Sequence, residues 1–319
     1  MNQVLTYPVA IGDESTLTKA EWLDVRQTGI GGSDAASILG VSPWKSAYAL
    51  WSEKSAEVAP PPLVENDAMR FGTMMEPHLR SLFADVTGMT VVEDTTIYQH
   101  PEHLWMLANL DGVVLDDFTG EPVAVLEIKT ASRAQGWASG VPAYYRAQVV
   151  HYLAVTNLPK AYVGVLLAGS EFKVYEIDRD ETEVEALIAA ESEFWRSLGK
   201  DEPELDGHDS TRQALTAAWT PDGSEMELDP SLSDLFERRA GLKQDADAVA
   251  EEIKATEAAI MRALGEAEVG TLGGKKVVTW KPQSRTTIDS KALKAEMPEV
   301  AERYSKTSST RVLRITWEA

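Results

Sequence analysis

Apolar positions along the chain change period several times, and each change marks an element. Between Asn66 and Thr87, Met69, Leu79, Leu82, Phe83 and Val86 fall on one helical stripe that Gly88 ends. The pattern then shortens to runs that suit strands, MTVVEDTTIYQ, LWMLANLDGVVLD and VAVLEIKT. The turn DDFTGEP joins the last two as an antiparallel hairpin. VPAYYRAQVVHYLAVTN returns to helical spacing with Pro142 in its first turn. AYVGVLLAG and EFKVYEIDR follow as strands, then a helix from about Thr182 to Leu198. Upstream, TKAEWLDVRQTGIGGSDAASILG predicts a short helix, a glycine-rich turn and a second helix capped by Ser33 or Asp34. SAYALWSEKS continues helically, and three consecutive prolines make VAPPPLVE a loop.

Further along, the polar stretch GKDEPELDGHDS places a domain boundary near residue 205, dividing 1–204 from 205–319. Beyond it, Leu232 to Glu268 reads as one long helix or a helical hairpin. KKVVTWK reads as a strand, SKALKAEMPEVAERY as a helix and TRVLRITWE as a strand, giving an α+β extension.

Composition changes this picture in three respects. Apolar content of 44% and charged content of 25% over 319 residues fit a folded chain of two ordinary domains or one core with a large appendage. The absence of cysteine excludes disulfides, zinc ribbons and cysteine-ligated iron–sulfur clusters. The start MNQVLTYPVAIGDEST has no basic-then-apolar signal pattern, and no apolar run approaches about 20 residues, so a cytoplasmic protein without a membrane partner is expected. A net charge of −21 argues against a broad cationic nucleic-acid surface. Acidic residues crowd 201–268, however, whereas the last fifty residues carry Lys275, Lys276, Lys281, Arg285, Arg311 and Arg314. Any DNA site must therefore rely on metal ions and a few placed cations.

The candidate chemistry lies in ANLDGVVLDDFTGEPVAVLEIKT. Residues two apart on a strand share a face, so Glu127 and Lys129 point one way and Ile128 points into the core. Folding the hairpin brings Asp111 to the same edge. Two carboxylates and the backbone carbonyl of Ile128 suit a hard divalent cation such as Mg²⁺, with Mn²⁺ as a substitute. Lys129 can orient or deprotonate a metal-bound water, or balance charge on a reacting phosphate. The bland alternative is an Asp111–Lys129 salt bridge with Glu127 solvated. Glu76 adds a third carboxylate inside a helix that Pro77 would bend; a solvated surface glutamate is its alternative. His78 beside it reads as structural or solvated.

A helical glutamate followed by D-x(15)-E-x-K on a hairpin resembles the PD-(D/E)xK nuclease superfamily. Four blocks resemble more narrowly the YqaJ-type viral recombinase family, to which the lambda-type phage exonucleases belong. They are EWLDVRQTGIGGSDAASILGVSPWKSAYALWSEKS, FGTMMEPHLRSLFADVTG, LDGVV with VLEIKT, and YYRAQVVHYLAVTN, within Glu21 to Leu198. The resemblance implies an α/β restriction-endonuclease-like core, a mixed central sheet flanked by helices. It implies two-metal, Mg²⁺-dependent hydrolysis of DNA, with Glu76, Asp111 and Glu127 at the metal positions and Lys129 as the catalytic lysine. Gln148 and Tyr152 match its Q-x-x-x-Y motif; at i and i+4 they share a helix face from which to hydrogen-bond the substrate backbone, with core packing the alternative for Tyr152. His151 lies off that face and reads as incidental.

RQTGIGGSDA fits the same picture. Gly29, Gly31 and Gly32 would let the backbone approach a phosphate, Arg26 has a planar fork to grip it, and Ser33 a hydroxyl to donate. A plain helix–turn–helix connection is the alternative. In the lambda-type enzymes the corresponding arginine and serine bind the 5′-phosphate end. Trp44 is either a wedge at the duplex end or a core tryptophan. The resemblance thus implies a 5′-to-3′ exonuclease on double-stranded DNA ends, leaving 3′ overhangs for a single-strand annealing partner, and a homo-oligomer, a trimer by analogy. If phage-encoded, it would work in the host cytoplasm. The rivals are an endonuclease on the same fold and a non-catalytic DNA-binding or scaffold protein. For residues 205–319 the resemblance implies nothing; their basic strands are candidate DNA contacts and the long helix a candidate subunit contact.

Overall fold

The computed structural model describes residues 8–56, 66–218, 222–307 and 312–317. Two compact units divide the chain, residues 1–220 and 221–319. In the first, β1 (Val9–Asp13) precedes α1 (Lys19–Gln27), β2 (Ile30–Gly31), α2 (Gly32–Ile38) and α3 (Ala47–Lys54). Then come α4 (Asp67–Thr87), β3 (Thr90–Val92), β4 (Thr96–Gln99), β5 (Met106–Ala108), β6 (Gly112–Leu115) and β7 (Pro122–Ala131). The unit ends with α5 (Ala143–Thr156), β8 (Lys160–Leu167), β9 (Glu171–Asp178), α6 (Glu181–Ser197) and α7 (Asp209–Ala218). The proline loop expected at VAPPPLVE lies outside the described residues.

A five-stranded mixed sheet, β3-β6-β7-β8-β9, forms the centre, antiparallel except for the β7–β8 pair. Strand alternation assigns its faces. Ala124, Leu126 and Ile128 pack with Leu79 and Phe83 of α4. Val125, Val163 and Val165 pack with Val149 and Leu153 of α5 and Val184 and Leu187 of α6. Helix, sheet, helix is the three-layer α/β core expected. Each of these large apolar side chains contributes roughly 1.5–3 kcal/mol by leaving water. Glu127 and Lys129 share the parity of Val125 and so face α5.

Two expected strands are each broken between sheets. MTVVEDTTIYQ divides into β3 of the central sheet and β4 of a second sheet, β1-β4-β5-β2. Asp94 accepts the Thr96 N–H at 3.0 Å in the break, a local turn that outcompetes a continuous strand. LWMLANLDGVVLD divides likewise into β5 and β6, with Asn109–Asp111 crossing between the sheets. The division between the compact units also falls later than the expected 204/205 boundary. The reason is α7, which packs on α3: Thr211 is buried, and its hydroxyl donates to Ser46 Oγ at 2.7 Å.

In the second unit α8 (Ser233–Leu264) is one continuous helix. β10 (Val269–Leu272) and β11 (Lys275–Thr279) form a hairpin whose turn residues Gly273 and Gly274 both have positive φ. The helix expected over SKALKAEMPEVAERY is two, α9 (Ser290–Glu296) and α10 (Pro298–Arg303), with Pro298, which lacks an N–H and disfavours helical backbone at Met297, opening the second. The described part of TRVLRITWE, 312–317, carries no strand. Among the described residues no helix is long and apolar enough to cross a membrane.

Candidate active site

The sheet crossing places Asp111. Gly112 of β6 pairs with Leu126, the last residue of β7 to meet β6, and β7 runs on to Ala131. The N–H groups of that overhang need other acceptors. Asp111 supplies one, its Oδ2 accepting the Ile128 N–H at 2.7 Å. Behind it the Asp111 carbonyl accepts Arg80 Nε at 2.9 Å, while Arg80 Nη2 donates to Glu76 at 2.8 Å and to Glu93 at 3.3 Å. Arg80 therefore couples the α4 carboxylate to the loop that carries Asp111.

Glu127 is 1% exposed. Lys129 donates to its Oε1, whereas Oε2 is buried without a hydrogen-bond partner. The bland alternative is thus reversed: Lys129 pairs with Glu127, which is buried, and Asp111 caps the strand. The Lys129 ammonium also lies 5.1 Å from the centroid of Tyr145. Ile128 points into the core beside α4 as expected.

The electrostatics are those of crowded acids. Burial, then the Asp111 charge, pushes the Glu76 carboxyl up to about 7. The same two causes raise Glu127. Burial opposes a charge on Lys129, but Glu127 and Asp111 outweigh it and hold the ammonium above its ordinary range. A fourth carboxylate, Glu14, is raised by burial and by Asp111, and accepts Asn109 Nδ2 at 2.9 Å. Such mutual repulsion, with one buried carboxylate oxygen unpaired, suits a hard cation. Among the described residues no three carboxylates or imidazoles close around a common point. Arg80 donates to Glu76, Lys129 to Glu127 and the Ile128 N–H to Asp111.

A cavity of about 620 Å³ gathers six of the expected site residues on its wall: Arg26, Ser33, Glu76, Asp111, Gln148 and Tyr152. Glu127 and Lys129 are not on that wall. Gln148 Nε2 donates to the Tyr152 hydroxyl at 2.7 Å. Burial and the Glu127 and Asp111 charges keep that phenol protonated. Tyr152 belongs to the buried core and also lines the cavity.

The cationic side of the cavity is Arg26. Its guanidinium lies over Trp22, 5.1 Å from the centroid, and its Nη2 donates to Ser33 Oγ at 2.9 Å and to Asp34 at 3.2 Å. Burial alone would raise the Asp34 carboxyl, yet Arg26 and Lys54 hold it well below the usual carboxylate range. Lys54 donates to the carbonyls of Arg26 and Gly29, both at 2.6 Å. The turn is thereby locked from beneath. The cap of α2 is Gly31, not Ser33 or Asp34; Asp34 lies in the first turn and accepts the Gly31 N–H at 3.1 Å.

The glycines of this turn serve packing more than ligand approach. A Cβ on Gly32 would overlap the Tyr152 ring, and one on Gly29 would lie 2.6 Å from the Trp105 carbonyl. Trp44 is 61% exposed and meets Tyr144 edge-on at 5.0 Å, which removes its core alternative. His78 is exposed. His151 is not incidental: fully buried, it joins Glu191 of α6 at 2.8 Å to the Leu107 carbonyl at 2.9 Å.

Glu14, Trp22, Asp34, Lys54 and Arg80 escaped sequence reading. Arg80 had a signal in its i+4 spacing from Glu76, and Asp34 in its place three residues after Gly31. Glu14 and Lys54 had none, since long-range packing alone brings them in.

These features define a mixed α/β protein with an acid-rich cavity where its two sheets meet. Residues 21–159 match the YqaJ-like viral recombinase domain. The Bacillus subtilis (strain 168) protein YqaJ is 32% identical over 305 residues, 93% of this chain and 93% of that protein. The chain belongs to the YqaJ-like viral recombinase family. A protein of African swine fever virus is 29% identical over 157 residues, 42% of this chain and 45% of its own length. Among solved structures, an alkaline exonuclease of Laribacter hongkongensis is 21% identical with a TM-score of 0.46, covering 62% of this chain and 97% of its own.

Proposed function

We propose that the protein is a Mg²⁺-dependent deoxyribonuclease, an exonuclease that digests double-stranded DNA ends in the 5′-to-3′ direction. The observation that carries this reading is the buried, unpaired Oε2 of Glu127 among mutually repelling carboxylates, two of which, Glu76 and Asp111, line a cavity that Arg26 also lines. Glu76, Asp111, Glu127 and the Ile128 carbonyl would hold divalent metal, which when bound would activate water and neutralise charge on the scissile phosphate. Lys129 stays an ammonium beside Glu127, so its role is to donate hydrogen bonds to the attacking water or the phosphate and to balance charge, not to act as base. Arg26 and Ser33 would receive the terminal 5′-phosphate: the fork is already oriented by Trp22 and Asp34, so little ordering remains to be paid. The protonated Tyr152 hydroxyl, accepting from Gln148, has its own proton free for a backbone phosphate. Trp44, exposed just before α3 and edge-on to Tyr144, would part the duplex end. The 3′ single strand so produced would pass to an annealing protein of the same recombination system.

The test is digestion of end-labelled linear duplex with Mg²⁺. The parent should release mononucleotides progressively, Lys129→Ala should leave the label intact, and a covalently closed circle should survive. Cutting of the circle would shift the reading to an endonuclease. Undiminished digestion by Lys129→Ala would remove the site.

A further inference from the structure

The 32-residue helix α8 buries none of its side chains, although it carries a regular apolar seam. Leu235, Leu242, Val249, Ile253 and Ile260 are between 45% and 59% exposed. They fall on a 3.5-residue repeat, Leu235, Leu242, Val249 and Thr256 alternating with Arg239, Ala246, Ile253 and Ile260. A sustained repeat of that period marks a coiled-coil face, and here it runs for about 38 Å. Within its own unit, Trp317 stacks on Phe236 at 5.1 Å, beside the seam.

Flanking charges select the occupant. If two copies of α8 paired in parallel, Arg238 would meet Lys243 of the second copy, and Glu252 would meet Glu257 of the second copy, both repulsive. Antiparallel pairing about a point between Asp247 and Ala248 reverses this. Arg238 then shares a flank with Glu252 of the second copy and Lys243 with Glu257, each contact occurring twice by symmetry. Asp245 also approaches Glu252 and its own symmetry mate, Asp245 of the second copy, on that flank, the like-charged contacts of this register, and Arg238 lies beside them. The same register stacks Leu235 on Ile260, Leu242 on Ile253 and Ala246 on Val249, so every large apolar residue of the seam meets an apolar partner. Arg239 faces Thr256, a polar layer that penalises registers burying the guanidinium against Leu or Ile. We infer that α8 pairs two copies of this chain as an antiparallel coiled coil. That two-fold pairing is separate from any ring formed by the first unit and does not depend on its proposed nuclease activity.

Because the chain has no cysteine, the register can be tested on the full-length protein. Chains carrying only Leu242→Cys or only Ile253→Cys should stay uncrosslinked under mild oxidation, and an equimolar mixture of the two should give a covalent dimer. By light scattering, the variant Leu242→Glu with Ile253→Glu should have half the mass of the parent, with far-UV circular dichroism confirming that it remains folded. Self-crosslinking of either single-cysteine chain would establish parallel pairing and overturn the proposal. So would a mass unchanged by the paired glutamates, the outcome if α8 instead lies on its own chain or awaits a different protein. The crosslinking arm decides the question even if the glutamate variant unfolds.

Discussion

Asp111 Oδ2 accepts the backbone N–H of Ile128 at 2.7 Å, so one carboxylate both terminates a strand pair and stands at the cavity wall. Structure and chemistry can be separated by substitution. Asparagine keeps an oxygen acceptor of the same shape but not the charge; alanine leaves a partly buried N–H unpaired, costing about 1–3 kcal/mol. Asp111→Asn should melt within a few degrees of the parent while Mg²⁺-dependent digestion falls by roughly 100-fold or more, the scale of a lost group in such chemistry. Asp111→Ala should lose activity and melt clearly lower. Equal melting of both variants, followed by scanning calorimetry, would show that the strand cap matters little.

Gly32 is the tightest approach in the site. A Cβ there would overlap Cε1 of a buried tyrosine ring, whereas at Gly31 the nearest atom would be 3.6 Å away on the Arg26 side chain. Gly32→Ala should therefore destabilise by about 1–3 kcal/mol, the usual cost of overpacking, and Gly31→Ala by much less. Urea unfolding of the two variants side by side measures the difference. Trimming the ring with Tyr152→Leu in the Gly32→Ala background should recover part of the loss.

The contrast between these residues shows what the sequence can disclose. Glu127, Lys129 and Ile128 were legible because strand alternation fixes their faces from local spacing alone, and the apolar run before them identifies the buried strand. The helix α4 was legible from its stripe and its terminal Gly88. The crossing at Asn109–Asp111 was not, because an apolar run interrupted by one acid looks the same whether the chain continues in one sheet or changes to another. Nor was the Asp34–Lys54 pair beneath Arg26, which joins two helices through a turn. Asp34 reads as a helix cap and Lys54 only as part of a helical stretch; tertiary packing alone buries both.

Arg26 owes its orientation to a planar fork that touches Ser33 and Asp34 with Nη2 while lying over Trp22. A lysine would keep the charge but lose the fork and the stack. Arg26→Lys should bring the digestion rates of 5′-phosphorylated and 5′-hydroxyl duplexes closer together, by a lower rate on phosphorylated ends. Steady-state kinetics on the two substrates reads this directly. A phosphorylation preference as large as the parent's would place the terminal phosphate elsewhere.

His151 gives a pH dependence of stability. Its Nε2 faces a carbonyl, which can only accept, and its Nδ1 faces the Glu191 carboxylate, so both nitrogens are served as donors when the ring is charged. Burial alone would lower its pKa, but Glu191 and these hydrogen bonds outweigh it and raise the value above the ordinary histidine range. A folded state that holds its proton more tightly than the unfolded chain is stabilised fully below the unfolded pKa. The stabilisation is lost as pH rises through the folded value. The parent's melting temperature should thus fall between pH 6 and pH 9 by more than that of His151→Gln with Glu191→Gln, in which neither group titrates. Identical slopes would mean that the pair stays in one protonation state throughout.

If Glu76 holds metal as proposed, it links protons to that metal. Its carboxyl, raised to about 7 by burial and Asp111, binds a proton over the range where an ordinary glutamate has none. A proton and a cation compete for the same oxygens, so Mg²⁺ binding must displace it. Affinity should rise as pH climbs through about 7 and level off above, and calorimetry in buffers of different ionisation enthalpy should detect proton release at pH 6.5 but less at pH 8.5. Arg80 sharpens the prediction, because it donates to Glu76 at 2.8 Å and must share or release that oxygen when a cation arrives. Glu76→Gln should diminish the proton release and weaken Mg²⁺ binding at pH 8.5. Proton release undiminished in Glu76→Gln would assign the titration to another raised carboxylate, with Glu127 the next to test.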